Sequence, residues 1–242
     1  RDRGLVVQGP RKRGCVRLPF AIKNQSQRGF QVQYAEKQGG VKVMASSRVR
    51  NMGDRKGLLG LVDRLRYHEA SRQGFGLLLL WVCAWWAEPA GEGRIIAGFV
   101  IAAIGQIWRI YAAGVIYKNT KLATTGAYSI VRHPLYLGNF LILAGFTLAC
   151  ANWIVIALVA FFFLFYYPAA IRYEDQKLEG IFGDDWREWS QGRAAMLPTS
   201  FRWQPNQDAS WSVRQSMLRN GELIYTVFEV AAAILLWYRA FA

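Results

Sequence analysis

The chain has 242 residues, 53% of them hydrophobic and 14% aromatic, and a formal net charge of +14. Its length allows one or two soluble domains. Its apolar residues, however, come in blocks, and a small soluble core has no room to bury several helices that are apolar all round. Three scattered cysteines, Cys15, Cys83 and Cys150, form no CxxC pair, and His68 and His133 are the only histidines. A disulfide framework and a metal centre are therefore not expected.

Residues 1–43 are polar, basic and glycine-bearing, with no helical or strand period. They are expected to be a leader outside the chemistry: a tag, an upstream extension or a disordered tail. The rival reading is a basic arm that binds anionic lipid or nucleic acid. Residues 1–73 hold 17 Lys/Arg against 5 Asp/Glu, so the basicity is mostly N-terminal. No aromatic interleaving or recognition motif points to nucleic acid, and the first 30 residues contain no apolar signal-peptide core. Over 54–73, Leu58, Leu61, Val62 and Leu65 recur near helical spacing between charges, which predicts an amphipathic interfacial helix.

Five apolar blocks follow: 74–90, 95–117, 134–151, 153–171 and 222–242. The second is about 34 Å long as a helix, enough for the hydrocarbon core. Only Ala151 and Asn152 separate the third block from the fourth, so those two form a tight helical hairpin. The predicted fold is all-α: a polytopic helical membrane protein with about five transmembrane helices. Its parts are a basic, disordered or non-native leader (1–53), the interfacial helix (54–73), a membrane core (74–221) and an additional C-terminal transmembrane helix (222–242). The 118–133 loop carries Lys118, Lys121 and Arg132, and the 172–221 segment is rich in arginine. The 88–94 loop has one arginine and 151–152 has no charge. The positive-inside rule puts the basic loops together on the cytoplasmic side.

The stretch Gly126-Ala-Tyr-Ser-Ile-Val-Arg-His-Pro-Leu-Tyr-Leu-Gly138 carries the strongest chemical signal. Pro134 stands where the third helix begins, because its missing N–H is unpaired there in any case. Arg132 and His133 then flank the positive end of that helix, a site suited to a carboxylate or phosphate. Gly138 lets a backbone or ligand come close. A second stretch runs Arg172-Tyr-Glu-Asp-Gln-Lys-Leu-Glu-Gly-Ile-Phe-Gly-Asp-Asp-Trp-Arg-Glu-Trp189. Its acidic pair Glu174–Asp175 should fall just past the end of the fourth helix, and Trp186 and Trp189 are read as interface anchors or an aromatic lid. Arg109 and Glu229 are intramembrane charges, functional or paired by default. Arg109 either faces a cavity or pairs with Glu229. Cys83 and Cys150 read as small packing residues.

The ordered pattern G-x-Y-x-x-x-R-H-P-x-Y-x-G, a transmembrane hairpin, then R-x-E-[ED]-x-x-L-x-x-x-F-G-x-x-[YW]-x-x-[YW] and a proline resembles the isoprenylcysteine carboxyl methyltransferase family, to which phosphatidylethanolamine N-methyltransferases are related. Arg109 to Gly114 and Lys118 also resemble prokaryotic members. The resemblance covers about residues 100–198. It implies an enzyme whose C-terminal half encloses S-adenosyl-L-methionine, with Gly126, Tyr128, Arg132, His133, Tyr136 and Glu174 lining the cofactor. Arg172, Glu174 and Arg109 would lie at the reacting end, with no metal. Asp175 replaces the commoner second glutamate, and tryptophan stands at two positions that are usually tyrosine. The implied acceptor is lipid-like or prenylated, a carboxylate or an amine, reached from the bilayer of a prokaryotic inner membrane with the active site facing the cytoplasm. Methyl transfer from a sulfonium needs positioning and water exclusion, and aromatic rings stabilise the cation by roughly 0.5–2 kcal/mol. A carboxylate acceptor is already ionised near neutral pH, whereas an amine must lose a proton. Two alternatives stand beside this. One is an NADPH-dependent membrane reductase related to sterol reductases, disfavoured by the missing R-D-x-x-R-C pattern. The other is a non-enzymatic scaffold; a transporter version is weakened by the lack of internal repeats.

Overall fold

The computed structural model describes residues 33–37, 40–44, 69–117, 120–201, 203–205 and 211–241. Residues 54–68 of the predicted interfacial helix and Lys118 lie outside them. Within the leader, which shows no strand period in sequence, β1 (Gln33–Lys37) and β2 (Gly40–Met44) pair antiparallel, with Gln33 opposite Met44 and Lys37 opposite Gly40. The alternation Val41-Lys42-Val43 is too short to stand out as a strand pattern. The other described elements are helices, as predicted.

All five apolar blocks are helices: α1 (Glu69–Trp85), α2 (Glu92–Ala113), α4 (Pro134–Cys150), α5 (Trp153–Phe182) and α7 (Glu222–Phe241). Short helices α3 (Ala127–Ile130) and α6 (Asp184–Ser190) lie in the connections. Among the described residues, α2, α5 and α7 have the length and hydropathy to cross a membrane, at 22, 30 and 20 residues. α1 and α4 are apolar but shorter. At 17 residues, α4 is about 26 Å long, just under the hydrocarbon thickness.

α2 and α4 form the antiparallel centre of the bundle, and glycine is the reason they come so close. A Cβ at Gly98 would lie 2.5 Å from the Gly145 carbonyl oxygen, and one at Gly145 would lie 2.3 Å from that of Gly98. Seven residues along, Gly105 and Gly138 repeat the arrangement, with a Cβ at Gly105 2.9 Å from the Gly138 oxygen. Lipid supplies no hydrophobic drive between helices, so such close backbone approach is the main source of their association. Gly138 thus has the close neighbour its sequence position suggested: the Gly105 backbone and the stem of Arg109.

The α4–α5 hairpin turns on Ala151 in the left-handed region (φ 62°) and on Asn152. The Asn152 side-chain oxygen accepts from Ile154 N (3.0 Å) and Val155 N (3.2 Å), an N-cap. Within α5, Phe162–Tyr166 form a π turn in which Tyr167 N donates to the Phe162 oxygen. The reason follows directly after Tyr167: Pro168 has no N–H to continue the α ladder, and its ring crowds the preceding turn. The fourth helix was expected to end near Ile171. Instead it continues to Phe182, so Glu174 and Asp175 sit within it. Its extension is amphipathic, with Tyr173 buried, and it stops where Gly183 takes φ 58°. α7 packs on α1 and α2 and closes the bundle's remaining side.

Candidate functional site

The loop from Gly126 to His133 is fixed from both ends. Gly126, at φ 60°, ψ −129°, occupies a backbone region that suits glycine, and its carbonyl accepts from Ser129 N at 3.0 Å. The chain after α6 then straps across the loop. Arg132 N and His133 N donate to the Ala194 and Ala195 carbonyls, both at 2.9 Å, and Gly126 N donates to the Gln204 carbonyl at 2.8 Å. Arg193 adds a bond from Nη1 to the Ser129 carbonyl at 2.7 Å. Trp108 Nε1 on α2 donates to the Pro134 carbonyl at 3.0 Å and ties the start of α4 to the neighbouring helix. Pro134 is the first residue of α4, with His133 as its N-cap, as predicted.

His133 is buried. Its Nε2 lies 2.8 Å from Asp175 Oδ1, and Arg132 Nη2 lies 3.2 Å from Asp175 Oδ2, so one carboxylate on α5 holds both side chains. Tyr136 stacks on the His133 ring at 5.3 Å and 22°, and the buried Trp186 tilts against it at 6.3 Å. Trp189 follows Trp186 at 5.1 Å, and Tyr167 meets Tyr136 edge-on at 5.3 Å. The result is an aromatic wall built from α4, α5 and α6.

This wall bounds a cavity of about 240 Å³. Tyr128, Arg132, His133, Tyr136, Glu174 and Arg109, all singled out in the sequence, line it together. Two do not. Gly126 shapes the loop through its backbone. Arg172 is exposed, and its Nε donates back to the Pro168 carbonyl of its own helix at 3.2 Å. Glu174 faces the cavity beside Lys177, whose Nζ is 3.3 Å away. Trp186 and Trp189 also line the cavity, so the lid reading of these tryptophans fits the geometry better than the anchor reading. Outward, Lys121, Leu122, Phe182 and Trp189 are shared with an open groove of about 590 Å³.

Two buried donors at this site, Arg132 Nε and Trp189 Nε1, have no hydrogen-bond acceptor among the described residues. Buried polar atoms are normally satisfied, so such orphans call for an outside acceptor. Burial pushes the Tyr128 phenol well above its usual pKa, and the Glu174 and Glu222 carboxylates add to the shift. Tyr128 therefore stays a protonated hydrogen-bond donor.

Deeper in, Arg109 lines the cavity but pairs with Glu222 rather than Glu229. Its Nε and Nη2 donate to the two Glu222 oxygens at 3.0 and 2.8 Å, its Nη1 donates to Asn139, and its guanidinium lies 4.7 Å over the Tyr225 ring. Glu229 stands two helical turns further along the same face of α7. Glu222 escaped sequence reasoning because it falls at the polar start of a helix, where an acidic residue is ordinary. The strap residues escaped it because they act through backbone atoms alone. Among the described residues, no three His, Cys, Asp or Glu side chains form a group able to hold a metal ion.

Residues 93–185, from the start of α2 to the start of α6, match the phospholipid methyltransferase family. The chain is 32% identical over 132 residues to the cobalt-zinc-cadmium resistance protein CzcN of Cupriavidus metallidurans, covering 54% of this chain and 59% of that protein. It is 35% identical over 102 residues to the nickel-cobalt-cadmium resistance protein NccN of Alcaligenes xylosoxydans xylosoxydans, covering 42% and 46%. It is also 24% identical over 106 residues to the protein-S-isoprenylcysteine O-methyltransferase of Schizosaccharomyces pombe, covering 44% and 45%. The chain thus spans about half the length of the curated relatives it matches. No solved structure matches. Residues 93–185 of this chain, whose apolar helices are those of an integral membrane protein, thus resemble the phospholipid methyltransferase family and, at lower identity, an isoprenylcysteine methyltransferase.

Proposed function

We propose that the protein is an S-adenosyl-L-methionine-dependent methyltransferase acting on an amphiphilic acceptor of the bilayer, with its cavity open to the cytoplasm. One observation carries this reading: the aromatic cavity over His133 and Tyr136, with two orphaned buried donors, is lined mostly by the segment that matches the methyltransferase family. The residues present fit the cofactor. Arg132 Nε and Trp189 Nε1 supply donors for its carboxylate or hydroxyls, and the faces of Tyr136, Trp186 and Trp189 suit a sulfonium. The bound cofactor supplies an electrophilic methyl group. Asp175 orients His133 and Arg132, Glu174 offers an acceptor for ammonium or ribose, and the tryptophans exclude water from the reacting end. With Arg172 turned outward, Glu174 and Arg109 remain the candidates near the acceptor. The reductase alternative is not favoured, because the matching family and one relative are methyltransferases. Two relatives are named for metal resistance, and we infer a related physiological setting for this chain; growth of an expressing host in cadmium tests that part.

The direct test incubates membranes containing the protein with methyl-labelled cofactor and follows label into extracted lipid by mass spectrometry. Label is expected with wild type and lost, by at least about 100-fold, with His133→Ala and with Glu174→Ala, as removal of orienting contacts demands. Full labelling by both variants would refute the site.

A further inference from the structure

The polar groups that face the inner end of the cavity come from four parts of the chain, and together they set its charge. α2 supplies Arg109, α4 supplies Asn139, and α1 supplies Gln73. The C-terminal helix and the residues just before it supply Asn220, Glu222, Tyr225 and Glu229. Arg109 is the one cation of this end among the described residues, and both of its carboxylate-facing nitrogens are taken by Glu222. Asn139 takes the third nitrogen. Glu229 lines the small adjoining crevice with Leu77, Leu80, Ile142 and Leu143 and makes no hydrogen bond among the described residues. Among the described residues, the inner end therefore holds one positive and two acidic side chains. The outer end carries Lys121, Arg132 and Lys177, with Arg132 held by Asp175 and Lys177 by Glu174.

Resting on the methyltransferase reading, we propose that Glu222 is the specificity-determining residue of the acceptor subsite. By spending the charge of Arg109, it makes the inner end accept an amine head group and reject a carboxylate. Glu222 lies outside the 93–185 match, so the extra helix α7 sets selectivity on a cavity that the matched segment lines for the most part. A carboxylate entering beside Glu229 finds no free guanidinium among the described residues to answer it, and two carboxyl groups at contact in a dry site cannot both stay ionised. An alkylammonium meets a carboxylate within an apolar crevice that also receives its first methylenes. Arg109 is in this account a positioning residue, held rather than reacting.

The test compares binding of decylamine and decanoate to the full chain in neutral detergent, followed by tryptophan fluorescence, since Trp186 and Trp189 line the same cavity. Wild type is expected to bind the amine at least about tenfold tighter. Glu222→Gln should lose that preference by about tenfold and Glu222→Asp should restore most of it, which a merely structural role would not do. Glu229→Gln breaks no ion pair, so it keeps the test decisive if Glu222→Gln does not fold; it should weaken the amine at least about threefold and leave decanoate unchanged or improved. Tighter binding of decanoate by wild type, binding of neither probe, or an unchanged preference in Glu229→Gln and every folded Glu222 variant overturns the proposal. S-adenosylhomocysteine titration of the same samples separates the two readings. Amine preference without nucleoside binding refutes the methyltransferase and keeps the subsite, whereas nucleoside binding without amine preference does the reverse.

Discussion

Replacing Gly145 by alanine adds one carbon where two helix backbones already touch. The new Cβ would stand 2.3 Å from the Gly98 oxygen and 2.6 Å from Ala102 N. Both are backbone atoms, so no side chain can turn aside. Ordinary contact needs about 3.5 Å, so α2 and α4 must part by about 1 Å. Overpacking of this kind costs about 1–3 kcal/mol, offset by about 0.5–1 kcal/mol from replacing glycine within a helix. A net loss of about 1–2 kcal/mol lowers Tm by roughly 2–8 °C for a chain of this size. Gly76→Ala is the control: nothing lies within 4 Å of a Cβ there, so only the helix gain remains and Tm should hold or rise. Thermal unfolding in detergent, followed by circular dichroism at the helix band, reads both. If Gly145→Ala melts with Gly76→Ala, backbone contact between α2 and α4 does not hold the bundle's centre.

Asp175 is expected to act through His133 and Arg132. Asp175→Ala removes two charge-assisted contacts, each worth about 1.5–3 kcal/mol at most, and should weaken S-adenosylhomocysteine about tenfold. Asp175→Asn, which keeps an acceptor for His133, should cost less, and equal affinity of all three proteins by calorimetry would remove the positioning role. Tyr128 gives a pH signature. Its folded pKa is raised, so its contribution to stability is complete below about pH 10 and is lost as pH rises further, where the unfolded phenol ionises and the folded one does not. Between pH 9 and 11 the Tm of wild type should fall more steeply than that of Tyr128→Phe, whereas parallel slopes would contradict the buried phenol.

The membrane fold was legible because bilayer solvation acts on whole blocks of residues, and five such blocks became five helices. The glycine pairs Gly98/Gly145 and Gly105/Gly138 were less legible: a spacing of seven on each helix shows its meaning only when the helices are paired. Most of the candidate site was legible because Tyr128, Arg132, His133, Tyr136 and Glu174 sit in two short motifs, and the α4–α5 hairpin returns one to the other. The end of α5 was not, because its apolar stretch stops near Ile171 while its amphipathic period runs on to Phe182. Nor was the partner of Arg109. Glu222 and Glu229 lie seven residues apart on one helical face, and only the depth of α7 against α2 selects Glu222. The backbone strap over 194–204 left no side-chain trace at all.

Calorimetric titration of the purified, detergent-solubilised protein with S-adenosylhomocysteine, and separately with NADPH, tests the central claim most directly. The account predicts saturable 1:1 binding of S-adenosylhomocysteine, abolished in His133→Ala, and no heat from NADPH. Binding of NADPH with no response to S-adenosylhomocysteine would contradict it.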